Sequence, residues 1–458
     1  MGIITLIILI LLIIVICFKL NIKLLWLYKN KIIFNFYWKR NNIKRHLKLQ
    51  EWTKKYGKFY IILEFVPGFE IKKNYINNNF PKNEEHLFVS TGYRWNILRK
   101  SLSIFTNKNI CSMNELINYS ILDVLNEMKI NIGKTVDFCN ISETFFASLI
   151  SRIAYSTAFP NSSLSQFPIK YLNITKDLLL KKEEIKNKNN SINYYYWLFN
   201  LFNKKQKINK KNQQFGLFHL LYNKILNDEL NQLNKNKIEN LINSSNRLEI
   251  ILGKFFLNKS IKIAGLQTIS FALSCIIYFI SINYKIQNKL RYEIINLNNN
   301  DLIYSSELLN SIINETLRLC PIVAFANTRK CKINYSNGDI CLNIGDSIEV
   351  DIFSISRNKE FWGEDADKFK PERWLNLKYS PSSFLSLLPF GYGPRRCVGI
   401  SLAKTILKKV IINIILKYRL ISMDDGININ NGLILEGKEV LYPKNVFIKI
   451  DEINNNIE

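Results

Sequence analysis

Histidine is scarce in this chain, because only three occur among 458 residues: His46, His86 and His219, with no two close together in sequence. This scarcity disfavours histidine-based metal sites and Ser-His-Asp catalysis. Eight cysteines are present, but none forms a Cys-x-x-Cys pair, which disfavours zinc fingers and the disulfide scaffolds of small secreted proteins. Scattered cysteines of this kind indicate a reducing compartment.

Acidic residues are also few, with 37 Asp and Glu against 63 Lys and Arg, so the formal net charge is +26. Such an excess suits nucleic acid, an anionic membrane surface or an acidic protein partner. No recognition helix, RNA-binding signature or dense basic patch with stacking aromatics accompanies it, so we expect no nucleic-acid partner. Codon bias is an alternative source of the excess, since lysine occurs together with abundant Asn and Ile. A hydrophobic content of 47% indicates a folded chain.

The stretch 390–399 reads Phe-Gly-Tyr-Gly-Pro-Arg-Arg-Cys-Val-Gly and precedes a long apolar helix predicted to start near Ile400. Cys397 therefore lies just before a helix N-terminus, where unpaired N–H groups and the helix dipole favour an anion. This position predicts a bias toward the thiolate, the form that binds metals and attacks electrophiles. Gly393 and Gly399 stand where a backbone turns sharply or approaches a flat group.

Two further residues of this stretch suit a flat, anionic ligand, because Phe390 can lie across it and Arg395 can reach its charged edge. One soft ligand without other Cys or His at finger spacing does not describe zinc, whereas a haem iron takes a single proximal protein ligand. The alternative is a free cysteine at a loop–helix junction. The pattern resembles the haem-ligand signature of the cytochromes P-450, Phe-x-x-Gly-x-Arg-x-Cys-x-Gly, at Phe390, Gly393, Arg395, Cys397 and Gly399.

The chain begins with an almost unbroken run of Ile, Leu and Val from Gly2 to Phe18, followed by many Lys and Arg. A spanning helix takes about 20 apolar residues, so the run is near the lower limit. A cleaved signal peptide is the alternative, but the basic n-region and small cleavage-site residues are missing. We therefore predict a transmembrane anchor over 1–19 and a basic, aromatic interface segment over 20–43. The positive-inside rule places the remainder on the cytosolic side.

Trp95 and Arg99 lie four residues apart on a predicted helix and so share one face. Trp and Arg share helix faces often, so the pair alone is a weak signal. In the family that the loop resembles, a Trp-x-x-x-Arg helix contacts the haem propionates. Arg329 precedes a predicted small sheet, and the resemblance assigns it the other propionate; a solvated loop charge is its alternative.

The run Ile261–Ile286 reads as one long apolar helix that contains Ala264-Gly265-Leu266-Gln267-Thr268. Gly265 permits close approach, and Thr268 can bond backward to a carbonyl and loosen the helix. A packing notch with a satisfied Thr is the alternative. The segment resembles the family's oxygen-binding groove, Ala-Gly-x-Asp/Glu-Thr, which implies catalytic roles for Thr268 and Gln267 in proton delivery. Gln267 replaces the acid, so the proton path departs from the family pattern.

Glu315 and Arg318 are spaced i,i+3 on a predicted helix, and Pro371-Glu-Arg-Trp supplies Arg373. An exposed pair of this kind contributes little. The resemblance implies a buried Glu315–Arg318–Arg373 cluster beneath the haem loop, in which removing one member leaves an unpaired charge.

The predicted fold is mainly α with a small β region (α+β), the cytochrome P-450 fold. We expect a haem-thiolate catalytic domain over 44–450 and a polar tail over 451–458. A helix is predicted over His46–Tyr56, strands over Lys58–Phe65 and Phe69–Lys72, and helices from Asn114 to about Asn288. A small sheet is predicted over Cys331–Asp351, followed after the last helix by terminal strands with turns at Asp425-Gly426 and Tyr442-Pro443.

The resemblance implies haem b (iron protoporphyrin IX) with Cys397 as axial ligand, O₂, and NADPH-derived electrons from an NADPH-cytochrome reductase. The implied reaction inserts one oxygen atom into an apolar small-molecule substrate at the endoplasmic reticulum membrane. Arg395, Arg396, Lys404 and Lys408 form the predicted basic surface for the reductase. A haem-thiolate isomerase or lyase acting on a peroxide, slightly favoured by Gln267, is one alternative. A haem-binding paralogue without turnover, suggested by the short region before Trp95, is another.

Overall fold

The computed structural model describes residues 32–35, 45–56, 61–64, 92–93, 95–96, 99–100, 113–158, 163–176, 261–297, 306–337, 340–375, 388–423, 433–437 and 440–453. The chain forms two compact units, Met1–Tyr75 and Ile76–Glu458. The predicted anchor over 1–19, the predicted strand Phe69–Lys72, the turn at Asp425-Gly426 and most of the region before Trp95 lie outside the described residues.

The first unit contains strand β1 (Ile32–Asn35), helix α1 (Arg45–Tyr56) and strand β2 (Ile61–Glu64). The two strands pair in parallel, with Ile32 opposite Ile61. The helix and the second strand confirm two predicted elements. The first strand lies inside the predicted interface segment, where no strand was expected.

The second unit is mainly helical, and its described helices of four or more residues are α2 (Asn114–Ile130), α3 (Phe138–Ala158), α4 (Ile261–Ile282), α5 (Tyr284–Asn296), α6 (Glu307–Leu319), α7 (Ile352–Ile355), α8 (Lys359–Trp362) and α9 (Ile400–Lys417). Helices α3, α4 and α9 carry apolar residues on most of their surface and supply much of the buried core. At the start of α6, the Ser306 hydroxyl accepts a hydrogen bond from the Leu309 N–H at 3.1 Å, an N-cap that fixes where this helix begins.

Small sheets complete the second unit, and their strands are β3 (Thr135–Asp137), β4 (Phe325–Lys330), β5 (Tyr335–Asn337), β6 (Ile340–Leu342), β7 (Ser347–Asp351), β8 (Tyr418–Ser422), β9 (Leu435–Glu436), β10 (Tyr442–Pro443) and β11 (Phe447–Glu452). Every pairing between these strands is antiparallel: β3 with β11, β11 with β8, β4 with β7, β5 with β6, and β9 with β10. Strands are thus confirmed within the predicted range Cys331–Asp351, but they belong to two separate two-stranded sheets. Strand β4 begins before that range and contains Arg329, which was predicted to precede the sheet. The mainly α architecture is confirmed.

Three details differ from the prediction. The helix predicted over Ile261–Ile286 ends at Ile282, because the Asn283 side chain donates to the Phe279 carbonyl at 2.9 Å and interrupts the backbone ladder. Strand β3 interrupts the predicted helical region. It was not predicted because its partner strand, β11, lies far away in sequence. Tyr442-Pro443, predicted as a turn, pairs with β9 as a short strand.

Within the described ranges, no single helix is both long and apolar enough to cross a membrane. One bent pair, Thr268–Ile282 with Tyr284–Asn296, meets that requirement by length and composition only, and its two helices are inclined at 106°.

Candidate functional site

The Cys397 loop, residues 390–399, is held by its own backbone hydrogen bonds. The Cys397 N–H donates to the Phe390 carbonyl at 2.7 Å, and the Arg396 N–H donates to the Gly393 carbonyl at 3.0 Å. Pro394 lies in the first turn of the short 3₁₀ helix Gly393–Arg395, where a fixed φ is compatible with helical backbone. Cys397 therefore sits at the end of a rigid turn, immediately before α9.

Two glycines of this loop, Gly391 with φ +71° and Gly393, have left-handed backbone that favours glycine, whereas Gly399 has φ −92°, which any residue adopts. Gly393 has φ +75°, a left-handed conformation that side chains with a Cβ rarely adopt. Open space surrounds the point where a Cβ would project from Gly393 or from Gly399, since no heavy atom lies within 4 Å. The loop thus leaves room for a flat group to approach its backbone closely. Phe390 is half-buried and packs against the hydrophobic core.

The Cys397 thiol differs from the prediction in its acidity. Burial raises its pKa, while a hydrogen bond from the Gly399 N–H and the charge of Arg99 lower it, and the net direction is upward. Desolvation of the thiol thus opposes the bias toward thiolate that the following helix N-terminus predicts. Part of the Cys397 surface stays exposed although protein atoms crowd the sulfur from other sides. A ligand can reach the sulfur on that exposed side.

Arginine side chains gather around this loop, as the sequence predicted. Arg99 donates from Nη1 to the Arg396 carbonyl oxygen at 2.5 Å and lies near enough to Cys397 for its charge to act on the thiol. The guanidinium of Arg395 lies over the indole of Trp95, 4.8 Å from the ring centroid. Burial lowers the pKa of Arg395, and the nearby charge of Arg329 lowers it further.

This arrangement fits a haem. A single thiol with an accessible face provides one soft proximal ligand, and Arg99, Arg329 and Arg395 are suited to the two propionates of the porphyrin edge. Among the described residues, no group of three or more His, Cys, Asp or Glu side chains could hold a metal ion instead.

The residues predicted for the opposite side of the haem lie on α4. Thr268 is half-buried near the N-terminal end of this helix. Residues 261–267 are helical, but the side chain of Gln267 lies outside the described part of the structure. The roles of Thr268 and Gln267 therefore stay predictions.

The predicted Glu315–Arg318–Arg373 cluster is assembled and buried. Arg318 donates from Nε to Glu315 Oε2 at 2.9 Å and from Nη2 to Oε1 at 2.8 Å, and Arg373 Nε donates to Oε1 at 2.8 Å. Glu315 and Arg318 are completely buried. Arg318 also donates to the backbone carbonyls of Ser356 and Ala366, so this one helix residue connects several segments of the chain.

Two further groups donate hydrogen bonds to the Glu315 carboxylate, and neither was predicted from the sequence. Trp374 Nε1 donates to Oε2 at 2.9 Å, and the Lys370 backbone N–H donates to Oε1 at 3.0 Å. Trp362 also contacts the cluster, since the Arg318 guanidinium lies 5.0 Å from its ring centroid. The position of Trp374, directly after Arg373, was the one available signal for the indole donor.

Comparison with known proteins supports the same interpretation. The sequence profile described as Cytochrome P450 matches residues 65–445. Cytochrome P450 CYP13A1 of Caenorhabditis elegans is 27% identical over 482 aligned residues, covering 90% of this chain and 91% of the relative. Cytochrome P450 CYP13A8 of the same organism is 32% identical over 193 residues, covering 41% and 37%. Cytochrome P450 cyp-13B1 is 42% identical over 116 residues, covering 25% and 22%. Because this family profile spans most of its length, this chain belongs to the cytochrome P450 family.

Proposed function

We propose that this protein is a haem-thiolate monooxygenase that inserts one oxygen atom of O₂ into an apolar, lipid-like substrate with electrons from an NADPH-dependent reductase. Membership of the cytochrome P450 family supports the general reaction. The observation that carries the assignment for this chain is the Cys397 loop, where an accessible thiol, an open backbone surface and three arginines come together.

The residues of the loop each have a separate task in this proposal. Cys397 ligates the iron, and Arg99, Arg329 and Arg395 neutralise the propionates. Trp95 supports Arg395 by stacking against its guanidinium, which restricts the directions in which this side chain can point. When bound, the haem supplies the oxygen activation, which an electron-donating thiolate ligand favours.

Proton delivery is assigned to Thr268 and Gln267. A Thr hydroxyl is both a donor and an acceptor, so Thr268 can pass a proton while its side chain stays in place. Gln267 can orient a water through its amide but cannot itself exchange a proton at neutral pH. In this proposal the proton therefore comes from water held beside Gln267. Because no acidic side chain stands at this position, a haem-thiolate isomerase that acts on a peroxide stays an alternative.

The distinguishing experiment uses the full-length haem-loaded protein. We expect a thiolate-type ferrous–carbonyl spectrum, and NADPH consumption that depends on both the reductase and an apolar substrate. Sterols, fatty acids and polyketides form the first substrate panel, screened by their spectral shifts. Turnover of a hydroperoxide with no NADPH-dependent reaction would favour the isomerase or lyase. A thiolate-type spectrum without any turnover would identify a haem-binding paralogue.

The reductase is proposed to dock on the basic surface beside the loop. Arg396 is exposed, whereas Lys408 is half-buried. Lys404 is less available, because burial lowers its pKa and its ammonium donates to the Asn314 side chain at 3.3 Å. Arg395 is engaged with Trp95. Arg396 is therefore the most available of these four positions. Burial lowers the pKa of Lys408 as well, and Lys408 is the second position for a charge change.

Reversing the charge at Lys408 is expected to slow reduction of the haem by the reductase. Steering by charged surfaces raises association rates roughly tenfold or more at low ionic strength, so Lys408→Glu should lose a comparable factor there. The difference should shrink at high salt, since the Debye length falls to about 3 Å at 1 M. Stopped-flow reduction across a salt series measures this effect, with Lys289→Glu on the exposed face of α5 as control. Equal rates for Lys408→Glu and wild type at low salt would exclude this docking face.

We also propose that the chain is anchored to the endoplasmic reticulum membrane by residues 1–19, single-pass, with the catalytic domain on the cytosolic side. The apolar run Gly2–Phe18 and the basic residues after it support this topology. After alkaline carbonate extraction of microsomes, the full chain should stay in the membrane pellet, and a variant lacking residues 2–18 should be largely released. Retention of both to the same extent would contradict an N-terminal anchor.

A further inference from the structure

Arg99 contacts the backbone of the Cys397 loop directly, in addition to lying near the thiol. Its Nη1 donates to the carbonyl oxygen of Arg396, the residue immediately before Cys397, at 2.5 Å. The two residues are separated by 297 positions in the chain, so this hydrogen bond joins two distant segments. A role limited to binding a propionate does not require this contact.

The contact joins a charged donor to a main-chain acceptor. A guanidinium donor carries a full charge, and hydrogen bonds to charged groups contribute more than neutral ones. Arg99 is half-buried and Arg396 is exposed, so the bond lies at the exposed surface of the loop. The acceptor is a main-chain oxygen, so the bond restrains the path of the loop as well as a side chain.

Several contacts restrain Cys397, including the Gly399 N–H inside the loop and the Arg395–Trp95 contact to another segment. Two of the restraints are hydrogen bonds to backbone carbonyls, one internal to the loop and one external. The internal one is the bond from the Cys397 N–H to the Phe390 carbonyl, which links two residues of the loop itself. The external one is the bond from Arg99 to the Arg396 carbonyl, which ties the loop to the segment that carries Trp95 and Arg99. The internal bond stabilises the shape of the turn, and the external bond fixes the position of the turn relative to the segment that carries Trp95 and Arg99.

We infer that Arg99 is a positioning residue for the iron ligand. Its hydrogen bond to the Arg396 carbonyl fixes the loop and thereby holds the Cys397 sulfur in place for the metal. This inference rests on the proposed function, since it concerns the same site. It assigns Arg99 a second task beside the propionate contact that the resemblance implies.

Arg329 provides the matched comparison. It carries the same charge and is also predicted to bind a propionate, but it lies on β4, is exposed, and acts electrostatically on Arg395. Loss of either arginine removes one positive charge from the propionate region. Only loss of Arg99 removes the donor to the Arg396 carbonyl.

The experiment follows iron coordination in the haem-loaded, full-length protein with the variants Arg99→Gln, Arg99→Lys and Arg329→Gln. Haem content reports propionate binding, and we expect it to fall to a similar extent in both Gln variants. The rate at which the thiolate-type ferrous–carbonyl band converts to the blue-shifted band reports loss of the thiolate bond. We expect that rate to rise roughly tenfold in Arg99→Gln relative to Arg329→Gln, as loss of a charge-assisted hydrogen bond predicts.

Arg99→Lys should convert at an intermediate rate, because it keeps the charge but not the geometry of the donor. If Arg99→Gln does not fold, the same comparison is made between Arg99→Lys and Arg329→Lys. Equal conversion rates for the Arg99 and Arg329 variants would overturn the inference and leave the proposed function intact. A wild-type protein without any thiolate-type band would overturn both.

Discussion

Cys397→Ser is expected to abolish the thiolate-type ferrous–carbonyl spectrum and all NADPH-dependent turnover. Serine has nearly the shape of cysteine, so the backbone bond from residue 397 to the Phe390 carbonyl should survive the change. A serine hydroxyl is not ionised near neutral pH and is a poor ligand for a haem iron in place of a thiolate. The loss therefore reports ligation, separate from folding.

The free thiol has a raised pKa, and this makes the substitution more informative. Burial disfavours the uncompensated thiolate, so the anion is stable only when a cation compensates its charge, as a bound ferric iron does. The Gly399 N–H and the Arg99 guanidinium lower the pKa of the thiol, but by less than burial raises it. Binding of the haem and deprotonation of Cys397 are thus expected to occur together.

Cys341→Ser is the matched control, because Cys341 is another exposed, free cysteine but lies on β6 outside the loop. It should leave the carbonyl spectrum and turnover unchanged. Far-ultraviolet circular dichroism checks that both variants fold. A Cys397→Ser protein with the wild-type carbonyl spectrum would remove the basis for the proposed function.

The two motifs with short, regular spacing were predictable from the sequence. Glu315 and Arg318 are i,i+3 neighbours, and helix geometry alone places them on one face. The Cys397 loop combines glycines, a proline and a helix start within a few residues, so its local shape depends little on distant parts of the chain. Local geometry carries the shared helix face and the turn before the helix, whereas the resemblance to the cytochromes P-450 carries the addition of Arg373 and the haem.

The features that were missed depend on distant residues. The net pKa of Cys397 reflects the density of surrounding protein atoms, whereas the sequence displays only the helix that follows. Strand β3 forms because β11 pairs with it, and no local sequence pattern indicates that pairing. The helix break at Asn283 is hidden because apolar residues continue beyond it, although Asn can compete for backbone carbonyls.

Glu315→Gln is expected to cause the largest loss of stability of any single substitution considered. Glu315 is completely buried, and its two carboxylate oxygens accept from two guanidiniums, an indole and a backbone N–H. Gln keeps the size of the side chain but removes the negative charge. It also places an amide N–H₂ where the site supplies only donors.

The expected cost is about 3–5 kcal/mol, the range measured when one partner of a buried ion pair is removed. Folded proteins have a free energy of unfolding of about 5–15 kcal/mol, so this change removes a large fraction of that stability. We expect Glu315→Gln to yield little soluble, haem-loaded protein. Urea unfolding of any protein recovered measures the free energy directly.

Two comparison variants separate charge from packing. Trp374→Phe removes a single neutral donor and the pyrrole part of the indole, and should cost about 1–3 kcal/mol, because one acceptor site on the carboxylate is left unsatisfied while an aromatic ring remains. Glu307→Gln changes an exposed carboxylate in the first turn of the same helix and should cost at most about 1 kcal/mol. If Glu315→Gln were no more destabilising than Trp374→Phe, the two guanidiniums would not depend on Glu315 for their burial. The order Glu315→Gln, then Trp374→Phe, then Glu307→Gln follows from the charge, hydrogen bonding and burial of the group that each variant changes.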